Sequence, residues 1–170
     1  MKSKLNSTKQ SMHKLTQWLG YLGLTPFLVT SGLMCSAALT DAGIHSAALL
    51  GLYVPYIFIT YSAIILSFLC GILWGKGRRA GEVRRSNISL IISNSIAVVS
   101  WITLLMINIS PLMMLFAVTL LLCGYASMLI AERSIDSDNE EAGYWQMRLL
   151  LTATVIVIHS IVLVLLIGDL

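Results

Sequence analysis

The sequence predicts an all-α integral membrane bundle of five transmembrane helices, with the N-terminus cytoplasmic and the C-terminus outside. Three observations carry this expectation. Of 170 residues, 57% are apolar and only 11% charged, whereas soluble domains hold roughly 45 to 50% and about 25%; the mean hydropathy is +0.85. The apolar residues fall into five uncharged runs, each near the ~20 residues that cross a hydrocarbon core of about 30 Å. All eleven Lys and Arg fall on one side of the resulting topology, as the retention of positive charge in cytoplasmic loops requires.

Residues 1–16 form a basic tail with Lys2, Lys4, Lys9 and Lys14, and no acid precedes Asp41. The five-helix membrane domain, 17–170, follows. Its first span, 17–39, exceeds the 7 to 15 apolar residues of a signal-peptide core and reads as an uncleaved helix. The remaining spans are 53–75, 87–107, 111–131 and 147–167, and none contains an acid or a Lys. Between the third and fourth, Asn108-Ile109-Ser110-Pro111 leaves room only for a tight turn in which Pro opens the next helix. Those two helices must be antiparallel neighbours. The loop Lys76 to Arg85 holds five positive residues, and Arg133 and Arg148 flank the last connection. A bacterial cytoplasmic (inner) membrane is the simplest location; the acid-free, Ser-rich leader makes the mitochondrial inner membrane the alternative.

Composition also excludes. The net charge of +3 does not indicate nucleic acid, because the basic residues lie beside apolar spans and act as topology signals. Cys35, Cys70 and Cys123 all fall in apolar runs without a CxxC and read as small packing residues. There is no nucleotide loop, metal-ligand cluster or nucleophile elbow, so neither cofactor nor metal is expected. The partner is the lipid bilayer, with anionic lipid at the run Lys76 to Arg85 worth about 1 kcal/mol per charge. A homo-oligomer or hetero-complex is open. Asp136, Asp138, Glu140 and Glu141 lack calcium-loop spacing and read as a solvated linker.

A few residues stand out within the spans. Ala63, Ser67, Gly71 and Gly75 recur every four residues, a helix-packing ridge along which backbones can approach in lipid. Ser86, Ser89, Ser93 and Ser100 follow related turns of the third span, where hydroxyls can bond back to their own helix; the Asn94 amide needs partners in the bundle. His159 lies near the centre of the fifth span, where an ionisable group is costly. Bonded to a Ser, a Thr or a backbone carbonyl it is a buried polar residue; with acidic neighbours it would be a relay. Arg148 stands at the start of that span behind Tyr144 and Trp145, placed either to snorkel to the interface or to hold an anionic headgroup. With the N-terminus inside, Trp74, Asn94, Tyr125, Arg148 and Thr152 all fall in the cytoplasmic half. They form the candidate ligand or headgroup cavity.

The stretch Tyr61-Ser62-Ala63-Ile64-Ile65-Leu66-Ser67-Phe68-Leu69-Cys70-Gly71-Ile72-Leu73-Trp74-Gly75 resembles the domain-of-unknown-function 3429 family, which includes transmembrane protein 69 and many bacterial membrane proteins. Leu19-Gly20-Tyr21-Leu22-Gly23-Leu24-Thr25-Pro26-Phe27, Trp101 and Arg148-Leu149-Leu150-Leu151-Thr152 resemble it in the same order. Cys70 stands where the family has Gly, and Ile96-Ala97 where Pro-Ser is common. The resemblance implies a five-helix membrane protein with no established reaction, substrate or cofactor. It lends weight to Pro26, Ser67, Gly71, Trp74, Gly75, Trp101, Arg148 and Thr152.

Function is the least legible part. The leading expectation is a non-enzymatic structural or assembly subunit packing through the Ala63 to Gly75 ridge. A lipid- or quinone-like ligand binder, or a membrane enzyme, using the cavity around Arg148 is the alternative. A small oligomeric transporter ranks third, because the sequence shows neither the paired repeats nor the broken helices of such folds.

Overall fold

The computed structural model describes residues 15–40, 43–79, 81–135 and 142–169. The basic tail up to Lys14 and the acidic linker Asp136, Asp138, Glu140 and Glu141 lie outside the described residues. Six helical segments follow one another: α1 (15–22), α2 (Thr25–Leu39), α3 (Val54–Arg79), α4 (Val83–Met106), α5 (Pro111–Ile135) and α6 (Ala142–Gly168). The first two make up one span, Leu15–Leu39, and that span and the other four helices are each long and apolar enough to cross a membrane.

Several helices run past the apolar runs that define them in sequence. α3 continues from Gly75 to Arg79, α4 begins at Val83, α5 continues to Ile135 and α6 begins at Ala142. All these extensions lie at one end of the bundle, here termed the basic end. An apolar run ends where charge begins, but a helix ends only where its backbone hydrogen bonds do. Glu132 is thereby part of α5 rather than of a loop.

The first span is broken, which the sequence reading did not anticipate. Pro26 has no N–H for the Leu22 carbonyl four residues back. Thr25 Oγ1 donates to that carbonyl instead, at 2.7 Å. Leu24 N–H shortens its bond to Tyr21 O, and the Gly23 carbonyl accepts from Tyr61 OH of α3 at 2.9 Å. The carbonyls of Tyr21, Leu22 and Gly23 at the break thus each have a partner, as irregular backbone at membrane depth demands.

At the end opposite the basic end, a short 3₁₀ turn (Ile44–Ser46) leads into a hairpin of β1 (Ala48–Leu49) and β2 (Leu52–Tyr53), with Ala48 opposite Tyr53. Its central residues, Leu50 and Gly51, have φ of 54° and 78°, the double positive φ that two-residue hairpins favour. Asp169, after α6, accepts from Ile44 N–H at 3.3 Å and so ties this loop to the far end of the chain. Burial, then the Asp169 carboxylate, pushes the Tyr53 hydroxyl up to about 12.

α3 is the central helix, packed on α2, α4 and α5, while α6 closes the bundle against α2 and α5. The seam between α3 and α4 is polar and narrow. Ser89 Oγ donates to Leu73 O at 3.1 Å and Ser100 Oγ to Ala63 O at 2.8 Å, both buried. Asn94, expected to join helices, instead donates to Leu90 O of its own helix and is exposed. Its position is about 100° around the helix from Ser93, which is buried in the seam. Along the ridge of small residues, Ala63 is buried under Ser100, whereas Ser67 and Gly71 are exposed. Among the glycines of α3 the tightest approach falls at Gly77, where a Cβ would stand 2.7 Å from Ser89.

A side chain at Gly77 must push α4 away and disturb the Ser89 bond. We expect Gly77→Val to destabilise the folded protein by about 1–3 kcal/mol, read as a lower midpoint of thermal unfolding in detergent. Gly71→Val, with nothing within 4 Å of the new Cβ, should leave the midpoint of the isolated chain near that of the wild type.

Candidate ligand-binding site

Polar side chains inside an apolar bundle cost several kcal/mol each unless paired, so the pairing of each one is informative. Two clusters tie α3, α5 and α6 together. In the middle of the bundle, Ser62 and His159 are both fully buried, with Ser62 Oγ 2.7 Å from His159 Nε2 and His159 Nδ1 2.8 Å from Val155 O. A carbonyl can only accept, so Nδ1 donates to it and Nε2 accepts from the Ser62 hydroxyl. Tyr125 OH of α5 donates to the Ser62 carbonyl at 2.9 Å. Phe27, Phe58 and Tyr125 enclose the imidazole, with ring centroids 4.8 to 5.8 Å away. A hydroxyl on an imidazole is also the arrangement of an activated nucleophile, but a nucleophile must be reached. This pair is sealed under three rings and acts as a cross-brace.

The second cluster lies at the basic end. Glu132 of α5 is 2% exposed, and each of its oxygens holds a different cation. Lys76 Nζ of α3 is 3.0 Å from Oε1 and Arg148 Nε of α6 is 2.9 Å from Oε2. The Lys76 ammonium also stands 5.8 Å over the Tyr144 ring. Arg148 is 8% exposed and is thus withdrawn from the surface, where a snorkelling residue would place its head. Its Nε faces the carboxylate. Its two terminal nitrogens, which carry four N–H groups, meet no acceptor among the described residues.

Arg148 lines a cavity of about 170 Å³ between α1, α2, α3, α5 and α6. Its lining is otherwise apolar apart from Thr152 and Tyr125. Leu19 and Gly20 come from α1, Phe27 from α2, Phe68 and Leu69 from α3, and Leu151 and Val155 from α6. Gly23 and Leu24, the break in the first span, form part of the wall. Leu19 and Phe68 are exposed, so the mouth of the cavity faces the apolar flank of the bundle between α1 and α3. Thr152 lies one turn beyond Arg148 on α6. It is 6% exposed, yet its hydroxyl makes no hydrogen bond among the described residues, in contrast to Thr30, Thr119 and Thr154, which bond back to carbonyls of their own helices.

Of the residues singled out in the sequence, Tyr125, Arg148 and Thr152 therefore meet around one cavity. Trp74 and Asn94 do not. Trp74 is 45% exposed, with the Arg78 guanidinium 5.5 Å over its ring, and Asn94 is on the outer face of α4. A larger open groove between α4 and α5, about 500 Å³ and bounded by Ile88, Ile92, Ser95, Ile130 and Ser134 among others, has no charged group in its lining. Among the described residues no group of three or more His, Cys, Asp or Glu could hold a metal ion. Cys35, Cys70 and Cys123 are free thiols.

A model of the family described as protein of unknown function (DUF3429) matches residues 12–165. The chain belongs to the DUF3429 family. No curated protein and no solved structure matches it. For this DUF3429 protein, chemistry has to be read from side chains, and the sequence places Lys76 and Glu132 at the same end as Arg148 without revealing that they pair. Lys76 reads as part of the basic loop and Glu132 as the end of the fourth helix. A signal for one pairing was present: Glu132 and Arg148 are equidistant from residue 140 in the short α5–α6 connection, and antiparallel helices bring such mirrored positions side by side.

Removing the carboxylate leaves Arg148 charged, buried and unpaired. Glu132→Gln should therefore cost about 3–5 kcal/mol, measured as a loss of unfolding free energy in denaturant titrations in mixed micelles. A loss below about 1 kcal/mol, the range of exposed ion pairs, would mean that the carboxylate is solvated.

Proposed function

We propose that this DUF3429 protein is a non-enzymatic, multi-pass membrane protein that binds a lipid- or quinone-like amphiphile in the cavity beside Arg148. One observation carries the reading: Arg148 and Thr152, both buried residues, line the same apolar cavity, and neither the Arg148 terminal nitrogens nor the Thr152 hydroxyl has a partner among the described residues. Buried donors left unmade cost roughly 1–3 kcal/mol each, more when charged. An oxygen-bearing head would satisfy both, and its chain would leave through the apolar mouth between Leu19 and Phe68. Binding pockets elsewhere share this plan of an apolar lining with a few convergent polar groups. The partition of Lys and Arg supports a cytoplasmic N-terminus, which would set the cavity in the inner leaflet of a bacterial cytoplasmic membrane.

A second reading rests on a different surface. Ser67 and Gly71 are exposed on α3, with open space over Gly71, and small residues of this kind let another helix approach closely in lipid. An assembly subunit would use that face. The break in the first span removes one of the objections to a transporter, but among the described residues only one span is broken, without the paired repeat that alternating access employs.

Native mass spectrometry of protein extracted gently from its own membrane tests the first reading. Wild type should carry an amphiphile mass, and Gly20→Leu, whose side chain would grow toward Leu151 Cδ1 2.9 Å from its Cβ, should reduce occupancy at least tenfold. A wild type free of small molecules, or equal retention by both proteins, would contradict it. A hetero-complex lost in Gly71→Leu would favour the assembly reading instead.

A further inference from the structure

We infer that the occupant of the cavity has an anionic head with two acceptor oxygens, a carboxylate or a phosphodiester, and is held by the terminal edge of the Arg148 guanidinium with the Thr152 hydroxyl alongside. This rests on the amphiphile-binding reading and specifies its ligand.

The argument starts from how the Glu132 carboxylate is shared. One oxygen serves Lys76 and the other serves Arg148, and the bond to Arg148 is made by Nε alone. Arginine most often meets a carboxylate through two parallel N–H groups. Here the single Nε contact fixes the plane of the guanidinium and leaves the Nη edge for something else. That edge is planar, permanently charged and shaped for paired oxygens. Arg148 as a whole is 8% exposed, so water reaches it poorly, and a buried charge with four of its five N–H donors unmade among the described residues favours an anion over a neutral acceptor. A quinone carbonyl would satisfy one N–H and leave the charge as it stands.

Thr152 extends the same recognition. Its Cα is four residues, about 6 Å, along α6 from that of Arg148. A hydroxyl can donate to an anionic oxygen while the guanidinium holds its mate. Beyond these two the lining is apolar and passes Leu151, Phe68 and Leu19 toward the flank of the bundle, which suits an acyl chain. Tyr125 OH, committed as a donor to the Ser62 carbonyl, retains only acceptor capacity and would not compete for the anion.

The test uses the full chain in a neutral detergent, under alkaline conditions that ionise the acid, with thermal unfolding followed over a titration of each probe. The probes are oleate, dioleoylphosphatidylglycerol, oleyl alcohol and decylubiquinone. Ligand that binds the folded state raises the midpoint with concentration. We expect oleate or the phosphatidylglycerol to bind at least tenfold more tightly than oleyl alcohol and decylubiquinone. Arg148→Lys, which keeps a cation beside Glu132 but removes the fork, should erase most of that preference, and Thr152→Val should weaken the anion severalfold. If Arg148→Lys does not fold, the wild-type ratio of oleate to oleyl alcohol decides by itself. Oleate alone would identify a single-chain acid, and phosphatidylglycerol alone a bilayer phosphodiester. Neutral probes binding as tightly as oleate, with Gly20→Leu abolishing all of it, would overturn the anionic head and leave the amphiphile reading intact. No stabilisation by any probe would overturn both.

Discussion

Glu132 is the constraint on which the rest of the site depends. A carboxylate inside an apolar bundle is tolerated only if its charge is met, and here it is met twice, by Lys76 from α3 and Arg148 from α6. Because Glu132 itself belongs to α5, one side chain fixes three helices at the basic end. The same arrangement decides which way Arg148 points. With Nε committed to the carboxylate, the terminal nitrogens of this cavity-lining residue are left without an acceptor among the described residues.

The cross-brace in the middle of the bundle repeats this economy with neutral groups. Ser62, Tyr125 and His159 come from the same three helices, and every polar atom in the set whose bonds are described finds a partner inside. Apolar packing in lipid offers little preference for one helix rotation over another, since side chains leave one hydrocarbon surface for another. Directional bonds supply that preference. Two ties along the same helices fix both rotation and depth, and α4, outside both, is fixed through Ser89 and Ser100 instead. α1 and α2 are anchored by the Tyr61 bond at their break and by the contacts of Phe27 with Tyr61 and Tyr125.

The legible part of the fold is what hydropathy and charge determine. Five runs of apolar residues, separated by charged or turn-forming segments, give five spans, and the tight turn before Pro111 makes α4 and α5 neighbours. Membership of one end gave Tyr125, Arg148 and Thr152 as companions. Rotation was not legible, because both faces of each helix are apolar and periodicity carries no inside-outside signal. Asn94 and Trp74 were therefore assigned by height alone and face outward, while Ser89 and Ser100 hold the seam. The ridge from Ala63 to Gly75 was likewise read from spacing, whereas the closest approach at an α3 glycine depends on what stands opposite and occurs at Gly77. The pairing of Glu132 with Lys76 and Arg148 was hidden for a related reason: height along the bundle puts Glu132 at the right end, but only rotation brings the three side chains together.

The most direct measurement is a double-mutant cycle between Glu132→Gln and Arg148→Met, read from unfolding free energies in mixed micelles. If one buried carboxylate organises the basic end, removing both partners should cost far less than the two single losses combined, with a coupling toward the upper part of the roughly 0.5–3 kcal/mol seen for residues in contact. Losses that simply add, to within about 0.5 kcal/mol, would mean that Glu132 and Arg148 act independently and that the guanidinium is not oriented by the carboxylate.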